Sequence, residues 1–121
     1  MMEGMGSPGA VALVSSDLMF ASQITTTMRR AGGSALLVVG DAVPDVDLVF
    51  VDLNTAVDAR LALIARLRQE RPDLEIVGFC HHAERELRRR ARSSGATRVI
   101  NNGALQTVAL RLSGAGIAES Q

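Results

Sequence analysis

The chain has 121 residues, of which 47% are hydrophobic and 21% charged, a length and composition that fit one domain with one hydrophobic core. Lys plus Arg and Asp plus Glu each number 13, and this balance, with only 2% aromatic residues, argues against a nucleic-acid or membrane partner. No apolar stretch reaches the length of a membrane span, and the single cysteine, Cys80, excludes an internal disulfide and fits the cytoplasm, where thiols stay reduced.

Apolar runs and helical patterns alternate along the chain. The runs that predict strands are, in chain order, Val11–Val14, Ala35–Val39, Leu48–Val51, Leu74–Phe79 and Val99–Ile100. The segments whose apolar residues recur at helical spacing are Leu18–Met28, Val57–Leu67, Ala83–Ala91 and Leu105–Leu112. Continuous apolar strands separated by helices are typical of a parallel sheet that is buried on both faces.

One connection is too short for this pattern. Between the second and third predicted strands lie only residues 40–46, whereas a crossover between parallel strands normally needs a dozen or more residues. Either a single helical turn fits there, or the connection is strained or extended. A short or missing second crossover helix would leave Leu36, Leu37 or Val38 partly exposed, and exposed apolar surface of this kind marks an interface.

Polar residues follow the strands at one edge of the predicted sheet. In a doubly wound sheet of order 2-1-3-4-5, sites lie where the carboxyl ends of strands one and three meet. Asp17 and Asp52 follow those two strands, and Cys80 and Asn102 follow strands four and five. A simpler interpretation is that Asp17 caps the first helix and Asp52 caps its loop, since aspartate favours such positions.

Three segments resemble the receiver domains of bacterial response regulators. Asp47–Leu53 is similar to their third strand, whose last aspartate accepts a phosphoryl group, and Glu75–Ala83 resembles their fourth strand and its loop. Ser94-Gly95-Ala96, followed by Val99-Ile100, resembles the turn into their fifth strand. The resemblance implies a flavodoxin-like (CheY-like) α/β fold and makes Asp52 the phospho-acceptor position.

On this resemblance the domain would span residues 10–113. Residues 1–9 lack the basic and apolar regions of a signal peptide and are expected to be a disordered tail. Residues 114–121 are small and polar, so we expect a frayed C-terminal tail. The pattern shows no internal repeat and no second domain.

The chain departs from receivers at most of the positions that carry their chemistry. The acidic pair that holds Mg²⁺ in receivers falls at Ser15 and Ser16, and only Asp17, one place further, is acidic. The other departures are Cys80 for the hydroxyl residue, Val99 for the aromatic switch residue and Asn102 for the lysine. All 13 basic residues are arginine, so only an arginine such as Arg98 could balance a phosphoryl charge.

The departures favour a pseudo-receiver, a signalling module that is not an enzyme, needs no cofactor and acts by binding a protein partner or a second copy of itself. The alternative is a stand-alone receiver that accepts a phosphoryl group on Asp52, with weak Mg²⁺ binding at Asp17 and Asp52. A third hypothesis is a sensor that binds a small ligand or a metal ion at the same edge of the sheet, where the strands end. Cys80, His81 and His82 supply soft metal ligands there, although solvent-exposed loop histidines are the simpler interpretation.

An arginine-rich helix is the predicted partner surface. Its basic residues are Arg85, Arg88, Arg89, Arg90 and Arg92, and the acidic residues of the same segment are Glu84 and Glu86. Such a run is either a solvated helix face or a docking surface for an acidic partner.

Overall fold

The computed structural model describes residues 10–81 and 84–113; the tails predicted at 1–9 and 114–121 lie outside the described residues. The strands are β1 (Ala10–Val14), β2 (Ser34–Val38), β3 (Leu48–Asp52), β4 (Glu75–Cys80) and β5 (Arg98–Asn101). The helices are α1 (Leu18–Arg30), α2 (Val57–Glu70), α3 (Arg85–Ser94) and α4 (Asn102–Ser113). Each predicted strand and helix is therefore present, with ends that differ by a few residues from the predicted ones.

All strand pairs are parallel, and the order in the sheet is β2-β1-β3-β4-β5. This is the doubly wound, flavodoxin-like arrangement, so the predicted fold class and strand order are confirmed. The order reverses between β1 and β3, and the carboxyl ends of these strands form the rim where Ser15 and Asp52 lie.

The sheet buries one core on each face. On one face α1 and α4 pack over side chains such as Leu13, Phe50 and Phe79. On the other face α2 and α3 pack over side chains such as Val14 and Val51. Among the described helices, none has the length and apolar character that a bilayer crossing requires.

The connection between β2 and β3, residues 39–47, contains no helix. Val43 and Val46 anchor it in the α2–α3 core, each 6% exposed. Arg71, at the end of α2, donates hydrogen bonds of 2.6 and 2.7 Å to the backbone carbonyls of Val43 and Pro44. An extended segment with two buried valines and an arginine tie therefore replaces the crossover helix, which confirms the prediction that this helix is short or missing.

The second strand is left partly uncovered, as the short connection predicts. Leu36 and Leu37 are 45% and 37% exposed, whereas Val38 is only partly exposed and packs against the α2–α3 core. In the parallel register Leu36 lies beside Ala12, a member of that core. Leu36 therefore projects from the face on which the crossover helix is missing.

The turn after α3 is built against α2. Gly95 has φ +125°, and a Cβ there would lie 2.6 Å from the Cβ of Arg68. Arg68 donates hydrogen bonds of 2.9 Å to the Gly95 carbonyl and 2.7 Å to the Pro72 carbonyl. Only glycine suits this backbone conformation and this close approach, so Gly95 lets α2 pack against the turn between α3 and β5.

Candidate functional site

Asp52, the predicted phospho-acceptor position, is buried at the end of β3 with 3% of its surface exposed. Ser15, which is fully buried after β1, donates a 2.7 Å hydrogen bond to Oδ2 of Asp52. The position that is acidic in receivers is thus occupied by a hydroxyl that faces the Asp52 carboxylate. A buried carboxylate is stable only when such donors replace water.

Asn54 satisfies the other carboxylate oxygen of Asp52. Its backbone N–H and its Nδ2 each donate to Oδ1 of Asp52 at 2.8 Å. Nδ2 also donates to Oδ1 of Asn102 at 3.3 Å, and the backbone N–H of His81 donates to Oδ1 of Asn54 at 2.7 Å. Asn54 therefore links the ends of β3, β4 and β5, a role that the sequence analysis missed although this residue follows Asp52 by only two positions.

Asp17 caps α1, as one interpretation of the sequence expected. Its Oδ1 accepts a 3.0 Å hydrogen bond from the backbone N–H of Phe20, and its own N–H donates to Oγ of Ser15 at 3.0 Å. Asp17 is exposed while Ser15 is buried. The carboxylate that lies nearest in sequence to the lost acidic pair is thus held by a helix N-terminus.

Arg60 brings a cation beneath the rim. It is 7% exposed, and with Asp52 it makes up the charged side chains that are buried in the described part of the chain. Its guanidinium donates to the backbone carbonyls of Val14 at 3.3 Å and of Asp52 at 3.1 Å, and to Oγ of Ser16 at 2.9 Å. One planar group therefore joins the ends of β1 and β3 to α2.

Sequence reasoning did not assign Arg60. The available signal was its place on the apolar face of α2, three residues after Val57 and four before Ile64. The sequence analysis named Arg98 as an arginine that could reach the site, and this is wrong. Arg98 begins β5 and pairs with Glu75 at 3.3 Å, at the opposite edge of the sheet from Asp52.

Cys80 and Val99, the predicted switch positions, are core residues with 3% and 4% exposure. Cys80 ends β4, the strand end where the sequence placed it, and its side chain packs in the α2–α3 core. Burial raises the pKa of the Cys80 thiol, and the positive charge of Arg88 only partly opposes this effect. Cys80 is therefore set in a position that disfavours a thiolate.

An open cavity of about 590 Å³ lies in front of Asp52. Its lining includes Ser16, Asp17, Asn54, Asn102 and His81. His82 lies outside the described residues, and within the described part no three His, Cys, Asp or Glu side chains are grouped as metal ligands. Besides these residues, the ring of Phe20 lines the cavity, so its wall combines amides, hydroxyls, an imidazole and an aromatic ring with the carboxylates of Asp17 and Asp52.

The predicted partner surface on α3 divides into anchored and outward-facing arginines. Arg88 is partly buried and donates a 2.8 Å hydrogen bond to the Val99 carbonyl, which anchors it to β5; its role in partner binding stays a prediction. Arg90 pairs with Asp58 of α2 at 3.0 Å. Arg89 pairs with Glu86 at 2.6 Å, and this hydrogen bond raises the pKa of Arg89 and lowers the pKa of Glu86.

Arg85 and Arg92 complete the outward face of α3. Both are exposed, and neither has a hydrogen bond or ion pair within the part of the chain that the structure describes. Arg85, Arg89 and Arg92 follow one another at spacings of four and three residues, so they share one side of the helix.

Comparison with known proteins supports the fold strongly. No protein-family model matches the sequence, and no curated protein matches it. Among solved structures, a pilus assembly-related protein from Burkholderia pseudomallei is 20% identical with a TM-score of 0.72, covering 93% of this chain and 96% of that chain. The receiver domain of NtrX from Brucella abortus is 19% identical with a TM-score of 0.69, over 86% of this chain and 98% of that one.

A two-component response regulator from Clostridium difficile is 15% identical with a TM-score of 0.74, over 87% of this chain and 93% of that chain. These similarities extend over nearly the whole of each solved chain. The protein therefore has the fold of response-regulator receiver domains. The fold that the sequence resemblance implied is confirmed.

Proposed function

We propose that this chain is an atypical receiver domain that acts in signal transduction by binding a protein partner, without phosphorylation and without catalysis. The observation that carries the proposal is the hydrogen bonding of Asp52. One carboxylate oxygen accepts from Ser15 and the other from Asn54, so neutral donors of the chain itself occupy both oxygens.

The groups around Asp52 are a poor match to phosphoryl transfer. That reaction depends on a metal ion and a fixed cation that neutralise charge on the transferred oxygens. Mg²⁺ prefers several carboxylate and water oxygens in octahedral geometry, but here Ser15 stands beside Asp52 and the Asp17 carboxylate caps α1. Arg60 is committed to carbonyls and a hydroxyl on the inner side of the rim. This donor set does not fit the metal.

The alternative of a phosphorylatable receiver keeps one observation in its favour. Asp52 lies at the strand end where the fold places a site, and the cavity in front of it is open. A small phosphodonor could approach the carboxylate there if the hydrogen bond from Ser15 broke. The same cavity, with the amides of Asn54 and Asn102 in its wall, is what a small-ligand sensor would use.

The partner surface that we propose is the outward face of α3. Arg85, Arg89 and Arg92 present guanidinium groups to solvent, while Glu86 compensates only Arg89. Arginine side chains bind carboxylates in pairs of parallel hydrogen bonds, so an acidic protein surface is the expected partner. The Burkholderia pseudomallei neighbour is named as pilus assembly-related, so pilus assembly is a setting that we propose for such a module.

The experiment that tests the proposal is incubation with Mg²⁺ and either acetyl phosphate, read by intact mass, or beryllofluoride, read by backbone chemical shifts. We expect no adduct on the wild type. The matched variant Ser15→Asp/Ser16→Asp/Asn102→Lys restores the receiver residues, and we expect it to gain an adduct that Asp52→Asn removes. A stoichiometric wild-type adduct that is lost in Asp52→Asn would overturn the proposal in favour of the phosphorylatable receiver.

The partner surface is tested separately by capture of acidic proteins on immobilised wild type and on Arg85→Glu/Arg92→Glu. The control is Arg30→Glu/Arg111→Glu, which makes the same change of charge at exposed positions of α1 and α4. Binding that is lost only in the α3 variant supports the surface. Equal binding by both variants would exclude it.

A further inference from the structure

A second cavity, larger than the one in front of Asp52, lies where the crossover helix is missing. Its volume is about 700 Å³, and its wall is formed by residues 39–41 on one side and by the outer side of α2 on the other. Val39 is 59% exposed in this wall, and Leu36 projects from the same face of the sheet with 45% exposure. We call the space between β2 and α2 the crossover groove.

The side of α2 that lines the crossover groove carries unusually small side chains for a solvent-exposed helix surface. Ala59 and Ala62 are exposed and line the crossover groove, and Leu63 lies at its floor. Exposed helix positions normally carry long polar side chains, which would keep another helix at a distance. Alanines instead allow a close approach of backbones, so this side of α2 has the shape of a packing surface.

We propose that the occupant of the crossover groove is α2 of a second copy of this chain. In this arrangement the two α2 helices lie antiparallel about a two-fold axis at Ala62, between the two sheets. Each α2 keeps its buried face on its own sheet and places its alanine side over Leu36 and Val39 of the other copy. Each copy thus supplies the helix that the other copy lacks, and the interface is closed and self-complementary.

The charges on α2 match this arrangement. Asp58 lies four residues before Ala62 and Arg66 four residues after it, which is roughly 6 Å in each direction along the helix. An antiparallel pair centred on Ala62 therefore sets Asp58 of each copy opposite Arg66 of the other. Asp58 is 91% exposed and pairs with Arg90 at 3.0 Å, whereas Arg66 donates a 2.6 Å hydrogen bond to the Asp41 carbonyl and lies 3.7 Å from the carboxylates of Asp41 and Glu70. These pairings lie at the surface, where ion pairs contribute little to stability, so both side chains can exchange them for a partner on the second copy.

This charge pattern is the reason to choose a second copy over another protein. An unrelated helix would have to supply both a small apolar face and opposite charges at matching distances, whereas α2 already carries both. The net charge of the chain is zero, so no overall repulsion opposes self-association. The inference deepens the proposed interaction function, since it names one partner and a surface other than the outward face of α3.

The first test is the mass of the protein in solution, measured by sedimentation equilibrium from micromolar to millimolar concentration without any phosphodonor. We expect a reversible monomer–dimer equilibrium. Ala62→Glu puts two like charges at the two-fold axis and should weaken the dimer by about tenfold or more. Gln106→Glu is the matched control, because it adds one negative charge at an exposed position of α4, which packs on the opposite face of the sheet from the groove. It should leave the dimer nearly unchanged.

The second test reverses the charges. Asp58→Arg or Arg66→Asp alone should weaken the dimer, because each sets like charges opposite one another, and the double variant Asp58→Arg/Arg66→Asp should recover much of the affinity. Thermal unfolding of each variant checks that the monomer remains folded. A wild type that stays monomeric at millimolar concentration, or a dimer insensitive to Ala62→Glu, would overturn the inference. Neither result bears on phosphorylation or on the arginines of α3, so the proposed function is tested independently.

Discussion

The hydroxyl of Ser15 and the carboxylate of Asp52, which are 37 positions apart in the chain, are joined by a 2.7 Å hydrogen bond in the buried rim. Ser15 also accepts the N–H of Asp17 at 3.0 Å, so its hydroxyl acts as donor and acceptor at once. At the point where receivers gather acidic groups, a neutral serine hydroxyl therefore bridges the ends of β1 and β3 by binding the Asp52 carboxylate.

Replacing Ser15 tests the strength of this contact. Ser15→Ala leaves Oδ2 of the buried Asp52 without its donor, and the free energy of unfolding should fall by about 1–3 kcal/mol. Urea denaturation of Ser15→Ala and of the control Ser93→Ala, which changes an exposed serine of α3, measures the difference. Equal stability of the two variants would mean that the hydrogen bond contributes nothing.

Arg60 should be coupled energetically to Asp52. Arg60→Met removes the donor of two strand-end carbonyls, one of them the backbone carbonyl of Asp52, and a buried positive charge from the same rim, so we expect a loss of about 1–3 kcal/mol. In an Asp52→Asn background the same substitution should cost less, because the carboxylate charge is gone. A double-mutant cycle by urea denaturation measures the coupling, and strict additivity would contradict it. Arg92→Met is the exposed control.

Arg68 of α2 and Arg71, the residue that follows this helix, should control two different loops. Arg71→Ala removes the hydrogen bonds to Val43 and Pro44, and amide hydrogen exchange in residues 39–47 should become faster. Arg68→Ala should instead accelerate exchange around Gly95, whose carbonyl loses its donor. Peptide-level exchange by mass spectrometry distinguishes the two patterns. The same pattern of amide exchange in both variants would show that these hydrogen bonds do not act locally.

The Cys80 thiol should make the fold sensitive to alkaline pH. Its folded-state pKa lies above the ordinary value of 9.0, because burial opposes the thiolate. The folded state therefore holds the proton more tightly than the unfolded state. This contribution to stability is complete below pH 9.0 and is lost as the pH rises through the folded-state pKa. Thermal unfolding between pH 8 and pH 10.5 should show a steeper decline for the wild type than for Cys80→Ala. Parallel declines would contradict this assignment.

The fold could be predicted from the sequence because its signals are local and repeated. Five apolar runs and four helical patterns fix a parallel sheet, and the length of residues 40–46 is incompatible with a helix of normal size. The position of Asp52 followed from the end of an apolar run. Each of these inferences needs only the spacing of side chains along one segment.

The contacts inside the site could not be predicted in the same way, because they depend on which long side chains fold inward. An arginine in a helix is usually solvated, so the inward direction of Arg60 could not be distinguished from the outward direction of Arg92. The hydrogen bond from Arg88 to the Val99 carbonyl could not be predicted for the same reason. The choice of Arg98 as a cation near Asp52 failed because Arg98 lies at the amino end of β5, whereas Asp52 lies at the carboxyl end of β3.

Hydrogen bonds from arginine side chains to main-chain carbonyls hold several parts of the fold together. The arginines that donate them include Arg60, Arg66, Arg68, Arg71 and Arg88. Lysine carries a point charge on a flexible stem and could not span two or three carbonyls with one planar group. Because the chain contains no lysine, no side-chain amine is present for acetylation, ubiquitin attachment or amine-reactive cross-linkers. Enzymes that modify lysine side chains have no target in this sequence, and carboxylate-reactive cross-linkers suit its complexes better than lysine-directed ones.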